Sequence, residues 1–111
     1  GIKSPNRSLG VLQDIHWSMG AIGYFPTYTL GNLYAAQLLE AARKDLPEHD
    51  EQIRNGSFTP LLDWMRNNVH MRGSLLEPAD LIEEATGSPP TPDAFVRYLS
   101  SKVEGLYGIT A

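Results

Sequence analysis

The amino-acid sequence predicts an all-α protein, about four to five helices long, on two observations. From residue 26 onward apolar side chains recur at spacings of three and four, and no stretch alternates apolar and polar residues as a half-buried strand would. Several of these runs also open on a proline, at Pro26, Pro60 and Pro78. Proline suits the first turn of a helix because its φ is already helical and its missing amide hydrogen has no partner to lose there.

In chain order, the opening Gly1-Ile2-Lys3-Ser4-Pro5-Asn6-Arg7-Ser8 reads as loop. Leu9 to Tyr24 is rich in Gly, His, Trp and Met but keeps neither helical nor strand period, the pattern of a segment that lines a core edge or a site. Residues 1–25 are therefore read as a loop region and 26–111 as helices. A first long helix is predicted from about Thr27 to Lys44, with Leu30, Leu33, Tyr34, Gln37, Leu38 and Ala41 in register. Arg43 and Lys44 suit its negative C-terminal end, and Pro47 bars continuation. Glu48 to Gly56 is either a short exposed helix or a polar connection, and its Glu48, Asp50 and Glu51 read as solvated.

Next, Thr59 is the expected N-cap of a second long helix with Pro60 at its first position. Leu61, Leu62, Met65 and Val69 form its stripe, and Gly73 ends it. Glu77-Pro78 opens a helix with Ala79, Ile82 and Ala85 inward, Glu83 and Glu84 outward and Gly87 just past its end. Ser88-Pro89-Pro90 is a stiff connector. Thr91-Pro92-Asp93 starts the last helix, whose Phe95, Leu99, Val103 and Leu106 repeat at three and four. Leu61, Trp64, Met65, Phe95 and Leu99 are read as core.

Composition narrows the functional classes. The chain has 111 residues, 41% hydrophobic and 20% charged, which suits one globular domain or part of a larger one. A formal net charge of -4 with scattered Lys and Arg gives no footprint for nucleic acid and no polybasic run for an anionic membrane surface. No apolar stretch approaches the roughly 20 residues of a membrane span. The absence of cysteine excludes disulfides and thiolate metal sites and agrees with a cytoplasmic setting.

Catalytic motifs are sparse. There is no His-Glu-x-x-His, no Gly-x-Ser-x-Gly and no glycine-rich phosphate loop, and His16, His49 and His70 lie in unrelated contexts. No metal ligands are assigned. The exception is Gly10-Val11-Leu12-Gln13-Asp14-Ile15-His16-Trp17. In an extended segment Asp14 and His16 project to the same side, where a carboxylate can fix the imidazole tautomer and keep it a donor. The plainer reading is a satisfied, partly buried histidine beside a tryptophan that plugs the core.

That octapeptide resembles the Gly-x-x-Gln-Asp-x-His-Trp signature of the carboxypeptidase Taq-like (thermostable) zinc metallocarboxypeptidase family at all five fixed positions. Gly23-Tyr24-Phe25-Pro26-Thr27-Tyr28 and Leu30 to Leu38 look like the family's next stretch, and Tyr98 to Gly108 like its C-terminus. The resemblance implies an all-helical, cytoplasmic, homo-oligomeric peptidase that removes residues from peptide C-termini. It also implies a zinc ion held by His-Glu-x-x-His and a downstream glutamate, none of which this sequence contains. The chain is thus expected to be a C-terminal fragment that binds no zinc, shows no activity alone and self-associates through apolar faces. By position in the signature, Gln13, Asp14, His16 and Trp17 are active-site residues. His16 and Tyr24 are the candidates for contact with the substrate carbonyl and oxyanion, with Tyr28 as a further substrate-side residue; a buried, hydrogen-bonded Tyr24 is the structural alternative. A non-catalytic helical interaction or dimerisation module is the alternative for the whole chain.

Overall fold

The computed structural model describes residues 3–109, so Gly1 and Ile2 of the expected opening loop lie outside the described residues. Five α-helices follow one another: α1 (Pro26–Asp45), α2 (His49–Arg54), α3 (Thr59–Asn68), α4 (Pro78–Thr86) and α5 (Asp93–Tyr107). Short 3-10 turns cover Val11–Gln13 and His70–Arg72, and no strand occurs among the described residues. The chain divides into two compact units, Gly1–Leu30 and Gly31–Ala111.

In the second unit the core forms around two alanines. Ala41 and Ala42 of α1 leave room for the indole of Trp64 on α3, and Leu38, Leu46, Leu61 and Met65 pack against them. The indole N–H donates to Asp45 Oδ2 at 2.7 Å, which satisfies its one polar atom. Gln37, also buried, fixes the connector between α4 and α5. Its Nε2 donates to Thr86 Oγ1 and to the Ser88 carbonyl, both at 3.0 Å, and its Oε1 accepts from the Thr91 amide at 3.1 Å. Ile82 and Ala94 supply the buried contacts of α4 and α5.

Local signals set most helix ends. Pro78 opens α4, and Gly87 closes it in the left-handed region at φ 78°, where a side chain would be strained. At α3 the expected start shifts by one. Thr59 is already helical, Phe58 is the N-cap, and no side chain caps the turn. The same helix stops at Asn68 rather than running to Gly73, which instead ends the 3-10 turn at φ 55°. The polar Glu48–Gly56 stretch resolves as α2. Its His49 is buried, while Asp50 stays exposed and takes Arg43 Nη2 at 2.9 Å.

The helical stripes are only partly buried. On α5 the buried residue is Ala94; Phe95 is half-buried, and Leu99, Val103 and Leu106 are exposed. Leu62 of α3 and Ala79 of α4 also face solvent. Leu99 was expected in the core and is 42% exposed. Periodicity identifies which residues share a helix face, but whether that face is covered depends on what packs against it.

In the first unit, by contrast, no residue from 3 to 30 is fully buried. Ordering there comes from close-range bonds: the Gly10 and Leu12 amides both donate to the Arg7 carbonyl, at 3.2 and 3.1 Å, and Leu9 N donates to Asn6 Oδ1 at 2.9 Å.

Candidate functional site

The site assembles from the loop after the first 3-10 turn and the opening turn of α1. Asp14 is extended, at φ -84° and ψ 114°, but the chain turns immediately afterwards. Asp14 Oδ1 accepts both the His16 backbone N–H at 2.9 Å and His16 Nδ1–H at 2.8 Å. Asp14 and His16 meet through a side-chain-stabilised turn of the kind aspartate favours, rather than along an extended strand. The turn continues through Met19 N to Ile15 O at 3.0 Å and Ala21 N to His16 O at 2.8 Å. Gly23, at φ 79°, then redirects the chain so that Tyr24 and Phe25 return toward the imidazole.

Three aromatic rings surround His16. Tyr24 stacks on it at 5.5 Å with 20° between planes, Phe25 lies tilted at 4.9 Å, and Tyr28 meets it edge-on at 5.9 Å. Tyr24 and Tyr28 also contact each other edge to face at 5.5 Å. The remaining ring nitrogen, His16 Nε2, lies 3.0 Å from the Tyr28 hydroxyl. Asp14, His16 and Tyr28 thus form one hydrogen-bonded chain.

Its electrostatics follow from the donor count. Asp14 accepts two hydrogens, the His16 backbone N–H contributing more than the ring N–H. Together they hold its carboxyl below the ordinary value of 3.8 despite some desolvation. The group is therefore an ionised acceptor at neutral pH, and Nδ1 carries a hydrogen. Tyr24 shares the His16 stack, but its hydroxyl makes no hydrogen bond among the described residues.

Of the residues predicted from sequence, Asp14, His16, Tyr24 and Tyr28 come together. Gln13 sits in the 3-10 turn with its amide donating to the Ser8 carbonyl, and Trp17 is exposed and outside the ring cluster. Phe25 was missed as a site residue. Its only sequence signal is its place between Tyr24 and Pro26, where a turn into a helix brings neighbouring rings to one side.

Among the described residues no group of three His, Cys, Asp or Glu side chains stands close enough to hold an ion. Both ring nitrogens of His16 are committed to Asp14 and Tyr28. The described residues do not make a metal centre.

The candidate site is a histidine oriented by a carboxylate and framed by aromatic rings, on an all-helical scaffold. Comparison with known proteins narrows the reading. Residues 1–103 match the family described as Carboxypeptidase Taq (M32) metallopeptidase, and the chain belongs to that family. It is 44% identical over 108 residues to Thermostable carboxypeptidase 1 of Thermus thermophilus, covering 97% of this chain and 21% of that protein. It is 42% identical over 107 residues to Carboxypeptidase 1 of Bacillus subtilis, covering 96% and 21%. The crystal structure of the M32 carboxypeptidase from Deinococcus radiodurans R1 superposes with a TM-score of 0.86 at 38% identity, over 98% of this chain and 22% of that one. The chain therefore spans about a fifth of the length of the curated relatives it matches.

Proposed function

We propose that this chain acts as the C-terminal part of a zinc-dependent metallocarboxypeptidase that hydrolyses the C-terminal bond of peptides. It supplies substrate and transition-state contacts, while the metal site is supplied by other residues. The observation that carries this reading is the Asp14–His16–Tyr28 chain, with Tyr24 stacked on the imidazole. Peptide hydrolysis builds negative charge on the carbonyl oxygen. Preorganised N–H and O–H donors aimed at that oxygen stabilise the transition state more than the ground state. His16 is held by Asp14 at Nδ1 and by Tyr28 at Nε2, so its own contact with that oxygen requires the Tyr28 bond to open, whereas the uncommitted Tyr24 hydroxyl can donate without first breaking a bond. Tyr28, and by signature position Gln13, Asp14 and Trp17, complete the substrate side.

The direct test is a chimera in which this chain replaces the matching segment of the Thermus thermophilus carboxypeptidase, assayed on a blocked dipeptide. The chimera should hydrolyse the peptide, and Tyr24→Phe should lower kcat about 100-fold, the scale on which single oxyanion donors act. If kcat ignores Tyr24→Phe but falls with Tyr28→Phe, the assignment of Tyr24 is wrong. The 111-residue chain alone should show no activity and retain no stoichiometric zinc after dialysis.

Exposed apolar residues favour a second reading, a helical interaction or dimerisation module. Trp17, Met19 and Ile22 are each more than 60% exposed. An inactive chimera together with a stable dimer of the isolated chain would select it.

A further inference from the structure

The bond between His16 and Tyr28 has two forms that differ in what they offer a ligand. When the imidazole is neutral, Asp14 holds the hydrogen on Nδ1, so Nε2 carries a lone pair and the Tyr28 O–H must donate to it. The phenol hydrogen is then spent inside the cluster. When the imidazole is protonated, Nε2–H becomes the donor and Tyr28 Oη the acceptor at the same 3.0 Å separation. The phenol hydrogen must turn elsewhere, and Tyr28 is 50% exposed, so it turns to solvent or to a bound group.

We propose that His16 and Tyr28 form a donor switch: protonation of His16 releases the Tyr28 hydroxyl hydrogen to bind a carbonyl or carboxylate oxygen of the substrate. The identity of that oxygen rests on the peptidase reading; the switch itself does not. His16 acts here as a positioning residue, through Tyr28, in addition to any contact of its own. The groups facing it are few enough to make the switch clean. Asp14 approaches from the loop, Tyr24 stacks on one side, and Tyr28 and the non-ionisable Phe25 complete the ring. Among the described residues no Lys, Arg or Glu pairs with it. Asp14 stays an acceptor in both forms, so one proton on the imidazole is matched by one reorientation of the phenol O–H, with no other bond exchanged. Tyr24 differs, since its hydroxyl remains available whatever the state of His16.

The test is nuclear magnetic resonance on the full 111-residue chain labelled at the tyrosine Cζ and histidine Cε1 carbons, titrated over about pH 5 to 8, where imidazoles change charge. The Tyr28 Cζ signal should step with the same midpoint as His16 Cε1, while Tyr34, Tyr98 and Tyr107 stay flat. His16→Gln should abolish the Tyr28 step, because glutamine keeps hydrogen-bonding capacity but does not titrate. Asp14→Asn should leave the two midpoints coincident, so that any movement is a joint one, because a single proton drives both signals. A flat Tyr28 signal while His16 titrates overturns the switch, as does a step that survives His16→Gln. If His16→Gln fails to fold, the coincidence of the two midpoints in Asp14→Asn decides the matter. Failure of the switch leaves the chimera's activity to be judged separately, and an inactive chimera leaves these signals intact.

Discussion

The two compact units stabilise themselves by different means. The second, Gly31–Ala111, has a core and long-range polar ties: Ala41, Ala42 and Trp64 pack together, and Gln37 reaches across 51 residues to the Ser88 carbonyl. The first has no buried residue among those described, and its longest-range hydrogen bond, His16 to Tyr28, spans 12 residues. Its apolar side chains make up a similar share of its residues, but most of those described stand in solvent. Apolar residues stabilise a fold only in proportion to the surface that something else covers. The candidate site lies in the unit with the weaker internal support, as expected where binding residues ride on loops.

The two tryptophans break or sharpen this contrast most. Trp64 is 6% exposed and Trp17 is 66% exposed. Trp64→Ala should cost about 3–5 kcal/mol in urea unfolding followed by far-UV circular dichroism, through lost burial and a cavity. Trp17→Ala should stay within about 0.5 kcal/mol. Equal losses would mean that the first unit is packed as firmly as the second.

A smaller effect is expected at Gln37. Gln37→Ala leaves the Thr91 amide without its partner and the Ser88 carbonyl with only the Thr86 hydroxyl, which should cost about 1–3 kcal/mol by the same measurement. Hydrogen exchange should show the loss concentrated between α4 and α5. Removal of one exposed apolar residue such as Leu99 offers no comparable loss.

The smallest expected effect is acid sensitivity confined to the first unit. Because the folded Asp14 carboxyl lies below its ordinary value of 3.8, its contribution is present above that pH and is lost as pH falls through the folded value. Lowering the pH below about 3.8 should therefore release the Asp14–His16 turn, and Asp14→Asn should remove that particular sensitivity. The His16 amide signal reports the outcome. A turn that persists unchanged in acid would show that the backbone bonds from Met19 and Ala21 suffice without the carboxylate.

Much of the helical scaffold was legible because its signals are local. Proline at a helix start and glycine in the left-handed region act through their own backbones, so Pro26, Pro78 and Gly87 mark ends that the structure keeps. The family, too, was legible, since the Gly10–Trp17 signature and its downstream context are contiguous. Other features were not. The break of α3 at Asn68 and its unassisted start at Phe58 depend on how the turns settle in three dimensions. The outward face of α5 shows the same limit, because a stripe at helical spacing reads alike whether or not it is covered.

The candidate site divides along the same line. The sequence by itself determined that a carboxylate stands two residues before a histidine, with two phenols close behind; the resemblance to the family signature made Asp14, His16, Tyr24 and Tyr28 candidates, together with Gln13 and Trp17. Only the tertiary structure decided which phenol the histidine holds. Tyr28 is hydrogen-bonded and Tyr24 is stacked because the turn at Gly23 and the first turn of α1 return one hydroxyl to Nε2 and one ring to the imidazole face. Spacing along a chain sets which groups can meet; the direction from which each arrives, and so its chemistry, is set by the backbone between them.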